Sequence, residues 1–340
     1  MNLNNKIIFI TGGTGSFGHG FVEYILKNFK PKKIIIFSRD EMKQYEMQKK
    51  FNLKFMRYFI GDVRDKERLN RAVGDGADVL IHAAALKIVP TAELDPLECI
   101  KTNIYGAENV ISVALDKNIN NVVGLSTDKA ANPINLYGAT KLAADKLFVS
   151  ANNIKGSKKT KFSIVRYGNV FGSRGSVLPL FLEILKQNKN AKLPLTHEKM
   201  TRFFMKIEDA VRFVLLALNE MKGGEIFVPK LQSFRIIDLI FALKNEKKGF
   251  RKIGLRPGEK MHEVMISEDD SLNTLDFNTY YKVLLSIKFN DLKLNYLLSK
   301  NGKKGKKILN SFEYNSLNNN SYMSLEEIKF HLKNYNEKYK

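Results

Sequence analysis

The first twenty residues carry the feature that most constrains the fold. A β-branched, apolar run at 6–11 leads directly into Gly12, Gly15 and Gly18, and a helical pattern begins near His19. Three glycines in this order suit a tight turn, a close approach of the backbone to a pyrophosphate, and close packing of a helix on a strand. The helix N-terminus offers free N–H groups to phosphate. A glycine triplet between a strand and a helix therefore predicts a dinucleotide site.

The same unit, an apolar run followed by a turn and an amphipathic stretch, recurs along the first two-thirds of the chain. The runs lie at 6–11, 33–37, 55–60, 79–83, 121–125 and 162–166. Runs that are apolar throughout are typical of strands covered on both faces. Strands that alternate with helical patterns indicate a doubly wound parallel sheet. We predict an α/β, Rossmann-type fold whose dinucleotide-binding domain spans 1–170.

Beyond the sixth run the regular alternation of strand and helix patterns ends. Segments 178–187 and 207–221 have the pattern of amphipathic helices, and 224–228 that of a short strand. The stretch 299–320 is rich in Lys, Asn and Ser and is predicted to be loop-like. We expect 171–340 to form mainly a smaller, substrate-binding lobe and a C-terminal tail, with later returns to the first domain.

The end of the second strand bears on which dinucleotide binds. Ser38 and Arg39 come first and Asp40 follows, with Lys43 one turn further along. An acidic residue here accepts hydrogen bonds from a free ribose 2′-hydroxyl, whereas an arginine accommodates a 2′-phosphate. Because Arg39 is a charge partner for phosphate, the sequence favours NADP. NAD is the alternative, in which Arg39 stacks on adenine.

Tyr137 and Lys141 are four residues apart, so they lie on one face of a helix. Tyrosine has a pKa of about 10 and is a poor base at neutral pH, but a neighbouring ammonium and an oxidised nicotinamide lower that pKa. We expect Tyr137 to take a proton from a sugar hydroxyl while hydride leaves to the cofactor, and Lys141 to hold ribose hydroxyls. The pair gains specificity because it follows a Rossmann start and a fifth strand ending in Ser126 and Thr127.

The predicted cofactor site collects residues from strand ends and from the Tyr–Lys helix. Small residues after the fourth run let a cofactor lie across the sheet edge. The full predicted set is Gly12, Thr14, Gly15, Ser16, Phe17, Gly18, Ser38, Arg39, Asp40, Lys43, Asp62, Val63, Ala83, Ala84, Ala85, Asn103, Tyr137 and Lys141.

Several runs of the sequence together resemble one enzyme family. They are TGGTGSFG, SRDE, GDVRD, IHAAALK, KTNIYGAENV, LSTDKAANPINLYGATK, VRYGNVFGSRGS, MTRF, GGEIFVPK and GLRPGEKMHEVM. In this order and spacing they are similar to the inverting UDP-N-acetylglucosamine 4,6-dehydratases of the extended short-chain dehydrogenase/reductase superfamily. These bacterial enzymes catalyse the first step in the synthesis of pseudaminic acid, a sugar of flagellin and other surface glycans. The resemblance is close over roughly 5–270 and looser in the tail.

The resemblance implies roles for the residues that follow the fifth strand. Thr127 would form a hydrogen bond with the C4 oxygen, Asp128 would be the acid beside the C6 hydroxyl, and Lys129 would be the base at C5. Dehydratases that retain the C5 configuration carry Thr-Asp-Glu at these three positions. A base needs Lys129 neutral part of the time, so we expect burial or Lys141 to lower its pKa, and we expect a raised pKa for Asp128. The opposite assignment of acid and base stays open. A UDP-sugar 4- or 5-epimerase is the alternative enzyme, and it has no use for Asp128 and Lys129 together.

The resemblance also implies a substrate site for UDP-N-acetylglucosamine. Its residues are Lys87, Thr102, Asn169, Arg174, Met200, Arg202, Arg256 and Glu259. Arginines suit a diphosphate because their forked donors match its oxygens. The sequence departs from the family pattern at 204–206, where Phe-Met-Lys replaces the more usual Trp-Ile-Thr.

The net charge of +21 raises the question of a nucleic-acid partner. The lysines are scattered, and the dense group at 303–307 lies in a glycine-containing turn, which is typical of a solvated loop. We expect no nucleic-acid partner, and the positive field would help to collect a diphosphate-bearing substrate. A non-catalytic dinucleotide-binding regulator would have no reason to combine Thr127, Lys129, Tyr137 and Lys141.

Targeting, redox and metal signals are weak. No apolar run approaches the roughly 20 residues that cross a bilayer, the N-terminus does not have a signal-peptide pattern, and the single Cys99 cannot form an internal disulfide. We expect a cytoplasmic protein without a membrane partner. His82, His197 and His262 show no metal-ligand spacing, so no metal is expected. The resemblance implies a homo-oligomer, and hexamers occur in the family.

Overall fold

The structure, a computed structural model, describes residues 1–244, 249–285 and 294–339. Six strands form the parallel centre of its main sheet: β1 (Ile7–Thr11), β2 (Lys33–Ser38), β3 (Met56–Ile60), β4 (Val79–His82), β5 (Asn121–Thr127) and β6 (Lys161–Tyr167). They lie in the order β3-β2-β1-β4-β5-β6, which is that of a dinucleotide-binding sheet with its switch point between β1 and β4. The predicted α/β, Rossmann-type fold is confirmed.

Helices connect these strands and cover both faces of the sheet. They are α1 (Ser16–Asn28), α2 (Glu41–Lys50), α3 (Lys66–Val73), α4 (Val89–Leu94), α5 (Pro96–Ile100), α6 (Gly106–Asp116) and α7 (Leu136–Ile154), with a π-helical turn at Lys101–Tyr105 and a 3₁₀ turn at Asp128–Ala130. Side chains of β1 alternate between the faces. Ile8 and Ile10 join the core beneath α1, and Phe9 joins the core beneath α6. Burial of such a side chain contributes roughly 1.5–3 kcal/mol.

The second half of the chain both extends this sheet and forms a separate lobe. Its elements are α8 (Val177–Gln187), β7 (Leu193–Leu195), β8 (Thr201–Phe203), α9 (Ile207–Glu220), β9 (Ile226–Pro229), β10 (Ser233–Arg235), α10 (Ile236–Lys244), β11 (Phe250–Lys252), β12 (Val264–Ile266), α11 (Glu268–Ser271), β13 (Thr274–Asp276), β14 (Tyr280–Val283), β15 (Lys306–Lys307), β16 (Tyr314–Asn315) and α12 (Leu325–Tyr339). β9 pairs in parallel with β6, and β14, β13 and β15 continue the sheet in antiparallel fashion.

Two of the second-half elements belong to the main core, since α9 packs on α1 and β9 lies beside β6. The lobe has its own apolar core, which includes Leu178, Phe181, Leu239 and Leu332. β12 packs against the 3₁₀ turn at the end of β5, so the lobe reaches the carboxyl edge of the parallel sheet. The division near residue 170 stays a prediction. Within the described ranges, no helix has the length and apolar character needed to span a bilayer.

Candidate active site

The turn between β1 and α1 has no room for side chains at Gly12 and Gly18. Gly12 has φ of +64°, and a Cβ there would lie 2.7 Å from the backbone N and Cα of Ala84. A Cβ on Gly18 would meet the carbonyl oxygen of Gly13 at 1.9 Å. Gly15 precedes the first residue of α1, and no side chain caps the helix there. The turn therefore presents bare backbone and free N–H groups, as a pyrophosphate requires.

The same turn meets two loops from elsewhere in the chain. The hydroxyl of Ser16 accepts a hydrogen bond from the backbone N of Arg174 at 3.2 Å, and Lys87 donates to the carbonyl of Arg174 at 3.1 Å. Thr14 is buried, and Phe17 packs into the main core. The structure thus brings two predicted substrate residues next to the glycine turn.

At the end of β2, the acidic residue is already engaged. Asp40 caps α2 by accepting from the backbone N of Lys43 at 3.0 Å, and its carboxylate also pairs with the Lys43 ammonium at 2.5 Å. The side chain of Arg39 is 49% exposed and lies 3.6 Å from Asp62, while Ser38 is buried. Arg39 is thus the group at this strand end that is open to a phosphate.

The segments after β3 and β4 supply apolar and small residues. Ala83, Ala84 and Ala85 follow β4 directly and are partly buried. Val63 is buried and contacts the backbone of α6, where a Cβ on Gly106 would come within 2.7 Å of it. This close packing fixes the loop after β3 against the sheet edge.

The predicted cofactor residue Asn103 performs a structural task in the π-helical turn. Its amide oxygen accepts from Leu86 N at 2.8 Å, and its amide nitrogen donates to Leu86 O at 2.9 Å and to the Thr140 hydroxyl at 3.0 Å. These bonds hold the loop after β4. Thr102 is buried beside it, with a hydroxyl that has no hydrogen-bond partner within the described residues.

Tyr137 and Lys141 lie on α7 and are both buried. Burial raises the pKa of Tyr137 to about 12, and Lys129 is the cation that opposes this effect. Lys141 donates to the carbonyl of Leu125 at 2.8 Å, and burial lowers its own pKa. The neighbouring ammonium that the sequence predicts for lowering the tyrosine pKa is that of Lys129 in the structure.

Asp128 stands in the 3₁₀ turn at the end of β5 and is fully buried. Its Oδ1 accepts from the Thr127 hydroxyl at 2.9 Å and from Lys129 at 3.1 Å. Its Oδ2 has no hydrogen-bond partner among the described residues and faces Gly168, where a Cβ would lie 3.3 Å away. Burial and the carboxylate of Glu263 raise the pKa of Asp128, as the sequence predicted.

Lys129 is held by oxygen atoms from three segments. Its Nζ lies 3.1 Å from Asp128 Oδ1, 3.0 Å from Glu263 Oε1 and 3.5 Å from Asn169 Oδ1. Burial by itself lowers the pKa of Lys129, but the two carboxylates outweigh it and raise that pKa above its usual value. The expectation of a lowered pKa is wrong for this arrangement, because the adjacent Asp128 and the unanticipated Glu263 together outweigh burial.

The predicted diphosphate residues form a second charged group beside Lys129. Arg202 is buried and lies 3.5 Å from Glu259 and 3.4 Å from Glu263. Arg256 donates to both oxygens of Glu259, at 3.0 and 3.1 Å, while its own side chain is 61% exposed. Three of the predicted substrate residues are therefore linked to Lys129 through the carboxylates of Glu259 and Glu263. They are Arg202, Arg256 and Glu259.

Met200 is the predicted substrate residue that points elsewhere. It is 1% exposed, belongs to the lobe core, and accepts a hydrogen bond from the Thr196 hydroxyl at 3.6 Å. The atypical residues Phe204 and Met205 are also buried in apolar cores. The departure at 204–206 thus affects packing around the site.

The residue that sequence reasoning missed is Glu263. It lies inside the run GLRPGEKMHEVM, but only Arg256 and Glu259 were singled out there. An acidic residue directly before an apolar strand was the available signal. No group of three or more His, Cys, Asp or Glu side chains suited to a metal occurs in the described ranges, and the expectation that no metal binds stays a prediction.

A glycine-rich βα turn, a sheet of this order and a buried Tyr–Lys pair after the fifth strand define a protein of the extended short-chain dehydrogenase/reductase type. The family model described as "Polysaccharide biosynthesis protein" matches residues 8–284. An inverting UDP-N-acetylglucosamine 4,6-dehydratase of Campylobacter jejuni is 54% identical over 325 residues, 96% of each chain. A UDP-glucose 4-epimerase of Rickettsia bellii is 42% identical, covering 96% of this chain and 94% of its own.

Solved structures agree with these relatives. Pen from Bacillus thuringiensis superposes with a TM-score of 0.85 at 36% identity, covering 98% of this chain and 100% of its own. The dTDP-glucose 4,6-dehydratase DesIV from Streptomyces venezuelae, solved with NAD bound, shares the fold with a TM-score of 0.67 at 21% identity, over 75% of this chain and 86% of its own. The chain belongs to the polysaccharide biosynthesis protein family, in the group that contains the inverting UDP-N-acetylglucosamine 4,6-dehydratases.

Proposed function

We propose that the protein catalyses the inverting 4,6-dehydration of UDP-N-acetylglucosamine to a UDP-2-acetamido-2,6-dideoxy-L-arabino-hex-4-ulose, the first step of pseudaminic acid synthesis for surface and flagellin glycosylation. The observation that carries this proposal is the buried group of Thr127, Asp128 and Lys129 beside Tyr137. Of the side chains in this group, oxidation at C4 needs only Tyr137, as the base. Removal of C5–H and the C6 hydroxyl needs a further acid and base, and this group supplies both.

NADP is the proposed cofactor. The bare backbone at Gly12 and Gly15 fits a pyrophosphate, and the half-exposed Arg39 fits a 2′-phosphate. When bound, the nicotinamide would supply a reversible hydride acceptor for the oxidation at C4 and the reduction at C6. The domain of residues 1–170 would hold this cofactor, and the lobe of 171–340 would cover the sugar nucleotide.

The chain's own residues move the protons. Tyr137 acts as a phenolate, the form that the ammonium of Lys129 favours. Its Oη takes the proton of the C4 hydroxyl and becomes the neutral phenol. With C4 oxidised, the C5 proton becomes acidic and leaves to a base, while an acid protonates the departing C6 oxygen. Lys129 is the proposed base and Asp128 the proposed acid. Asp128 and Glu263 favour the ammonium form of Lys129, so Lys129 becomes a base by passing a proton to Asp128, whose Oδ1 lies 3.1 Å away and whose own pKa is raised. C5 then receives a solvent-exchangeable proton on the face opposite to the one from which the first proton left, and this gives inversion.

The uridine diphosphate would lie along Arg202 and Arg256, with Glu259 orienting both guanidinium groups. Asn169 and Lys87 would face the sugar from the loops after β6 and β4. We further propose a cytoplasmic homo-oligomer, with the hexamer as one form. Light scattering on the purified protein measures the subunit number.

The test incubates purified protein with NADP and UDP-N-acetylglucosamine in heavy water. Mass spectrometry should show loss of one water, and proton NMR should show deuterium at C5 with inverted configuration. A product that keeps its C6 hydroxyl would instead support a UDP-sugar 4- or 5-epimerase, the second candidate. The similarity to Rickettsia UDP-glucose 4-epimerases favours testing UDP-glucose in parallel.

A further inference from the structure

Glu263 is a buried carboxylate that reaches the catalytic group from far along the chain. It directly precedes β12 and is 1% exposed. Its Oε1 lies 3.0 Å from the ammonium of Lys129 and 3.4 Å from Nε of Arg202. Its backbone N donates to the Ser316 hydroxyl at 2.9 Å, which fixes the start of the strand. One carboxylate therefore contacts both the proposed base and a proposed diphosphate ligand.

The ammonium of Lys129 has three N–H donors, and three oxygens lie within 3.5 Å of it. Asp128 and Asn169 supply two of them from the ends of adjacent strands, and Glu263 supplies the third from the lobe. A flexible four-carbon side chain does not hold one direction without such partners. The contact with Glu263 therefore gives the third N–H of the Lys129 ammonium its acceptor.

We propose that Glu263 is a positioning residue of the dehydratase site: it fixes the Lys129 ammonium and sets the pH at which Lys129 changes protonation state. This inference rests on the proposed function, because it acts through the residue assigned to C5. Charged and titratable groups face this pair from every neighbouring element. They are Asp128, Tyr137, Lys87, Arg202 and Lys260.

The direction of the effect follows from these charges. Burial alone lowers the pKa of Lys129, while Asp128 and Glu263 raise it. Lys129 and Arg202 together hold the pKa of Glu263 below its usual value against the effect of burial, so Glu263 stays a carboxylate. Glu263→Gln removes one of the two negative charges and keeps the shape. The pKa of Lys129 must then fall, by about one pH unit or more for an opposite charge at this distance.

The experiment compares wild type, Glu263→Gln and Glu263→Asp by two measurements. The pH profile of kcat for dehydration should show the limb that belongs to Lys129 moved to lower pH by about one unit or more in Glu263→Gln. Trace acetylation of Lys129 with acetic anhydride, followed by peptide mass spectrometry, should show the same movement without any turnover. Glu263→Asp keeps the charge, so its midpoints should stay close to those of wild type.

Glu259→Gln is the matched control, since Glu259 also pairs with Arg202, whereas the ion pairs of Lys129 within the described ranges are with Asp128 and Glu263. It should raise KM for UDP-N-acetylglucosamine and leave both midpoints unchanged. Identical midpoints in wild type and folded Glu263→Gln would overturn the inference, as would an equal shift in the control. If the wild type produces no dehydrated sugar, while Glu263→Gln still shifts the acetylation midpoint of Lys129, the proposed reaction is removed and the effect of Glu263 on Lys129 stays in place.

Discussion

Replacing Lys129 by methionine removes the cation between two buried carboxylates and keeps most of the side-chain volume. Asp128 is fully buried and Glu263 is 1% exposed. Removing one partner of a buried ion pair costs about 3–5 kcal/mol. Lys129 itself is 22% exposed, and Arg202 remains 3.4 Å from Glu263, so the lower part of that range applies. We expect the free energy of unfolding to fall by about 3–4 kcal/mol at about pH 8.

This loss should depend on pH, because a carboxyl group left without its cation can take up a proton. Burial and Glu263 already raise the pKa of Asp128, and loss of the ammonium raises it further. Between the unfolded pKa of about 4 and the raised folded pKa, the folded variant binds more protons than the unfolded chain. Its stability therefore falls as pH rises, by about 1.4 kcal/mol per pH unit for one carboxyl group.

Urea unfolding followed by circular dichroism, at about pH 5.5 and about pH 8, measures both effects. The variant should lie closer to wild type at the lower pH. Lys129→Met/Asp128→Asn is the matched control, since it also removes the carboxylate that lost its cation and should recover part of the stability at the higher pH. The reasoning is refuted if the deficit is equal at both pH values and the added Asp128→Asn leaves it unchanged.

Three further predictions follow from the same site. Gly15→Ala should weaken NADP binding at least tenfold in calorimetry with little change in Tm, because its Cβ meets only one carbonyl oxygen at 3.3 Å. Gly18→Ala should instead lower Tm, because its Cβ meets backbone at 1.9 Å. Equal losses of Tm in the two variants would contradict this prediction. Arg39→Ala should reduce the ratio of NADP to NAD affinity about tenfold, consistent with loss of one charge-assisted contact, and an unchanged ratio would exclude it as the phosphate ligand. Tyr137→Phe should bind UDP-N-acetylglucosamine, yet in rapid-mixing experiments the transient rise of NADPH absorbance at 340 nm should form roughly 10²–10⁴-fold more slowly than in wild type; a wild-type rate of this transient would remove the tyrosine from the first step.

Much of the fold and part of the site follow from local patterns. The six apolar runs predict the six parallel strands to within two residues at each end, because burial on both faces demands uninterrupted apolar residues. Tyr137 and Lys141 share a helix face because α-helical geometry brings residues four apart together. The runs that resemble the dehydratase family identify Asp128 as an acid, and this role requires the raised pKa that the structure shows.

Pairings between distant segments depend on where the loops run, and tertiary structure alone decided them. Glu263 meets Lys129 across 134 positions, and that contact adds to the effect of Asp128 in raising the lysine pKa. Met200 turns into the lobe core, and the amide of Asn103 holds the loop after β4. Residue type and spacing specify which groups a strand or helix presents. Which charge stands next to which is set by the three-dimensional packing of the lobe on the sheet edge, and electrostatic energy depends on that distance.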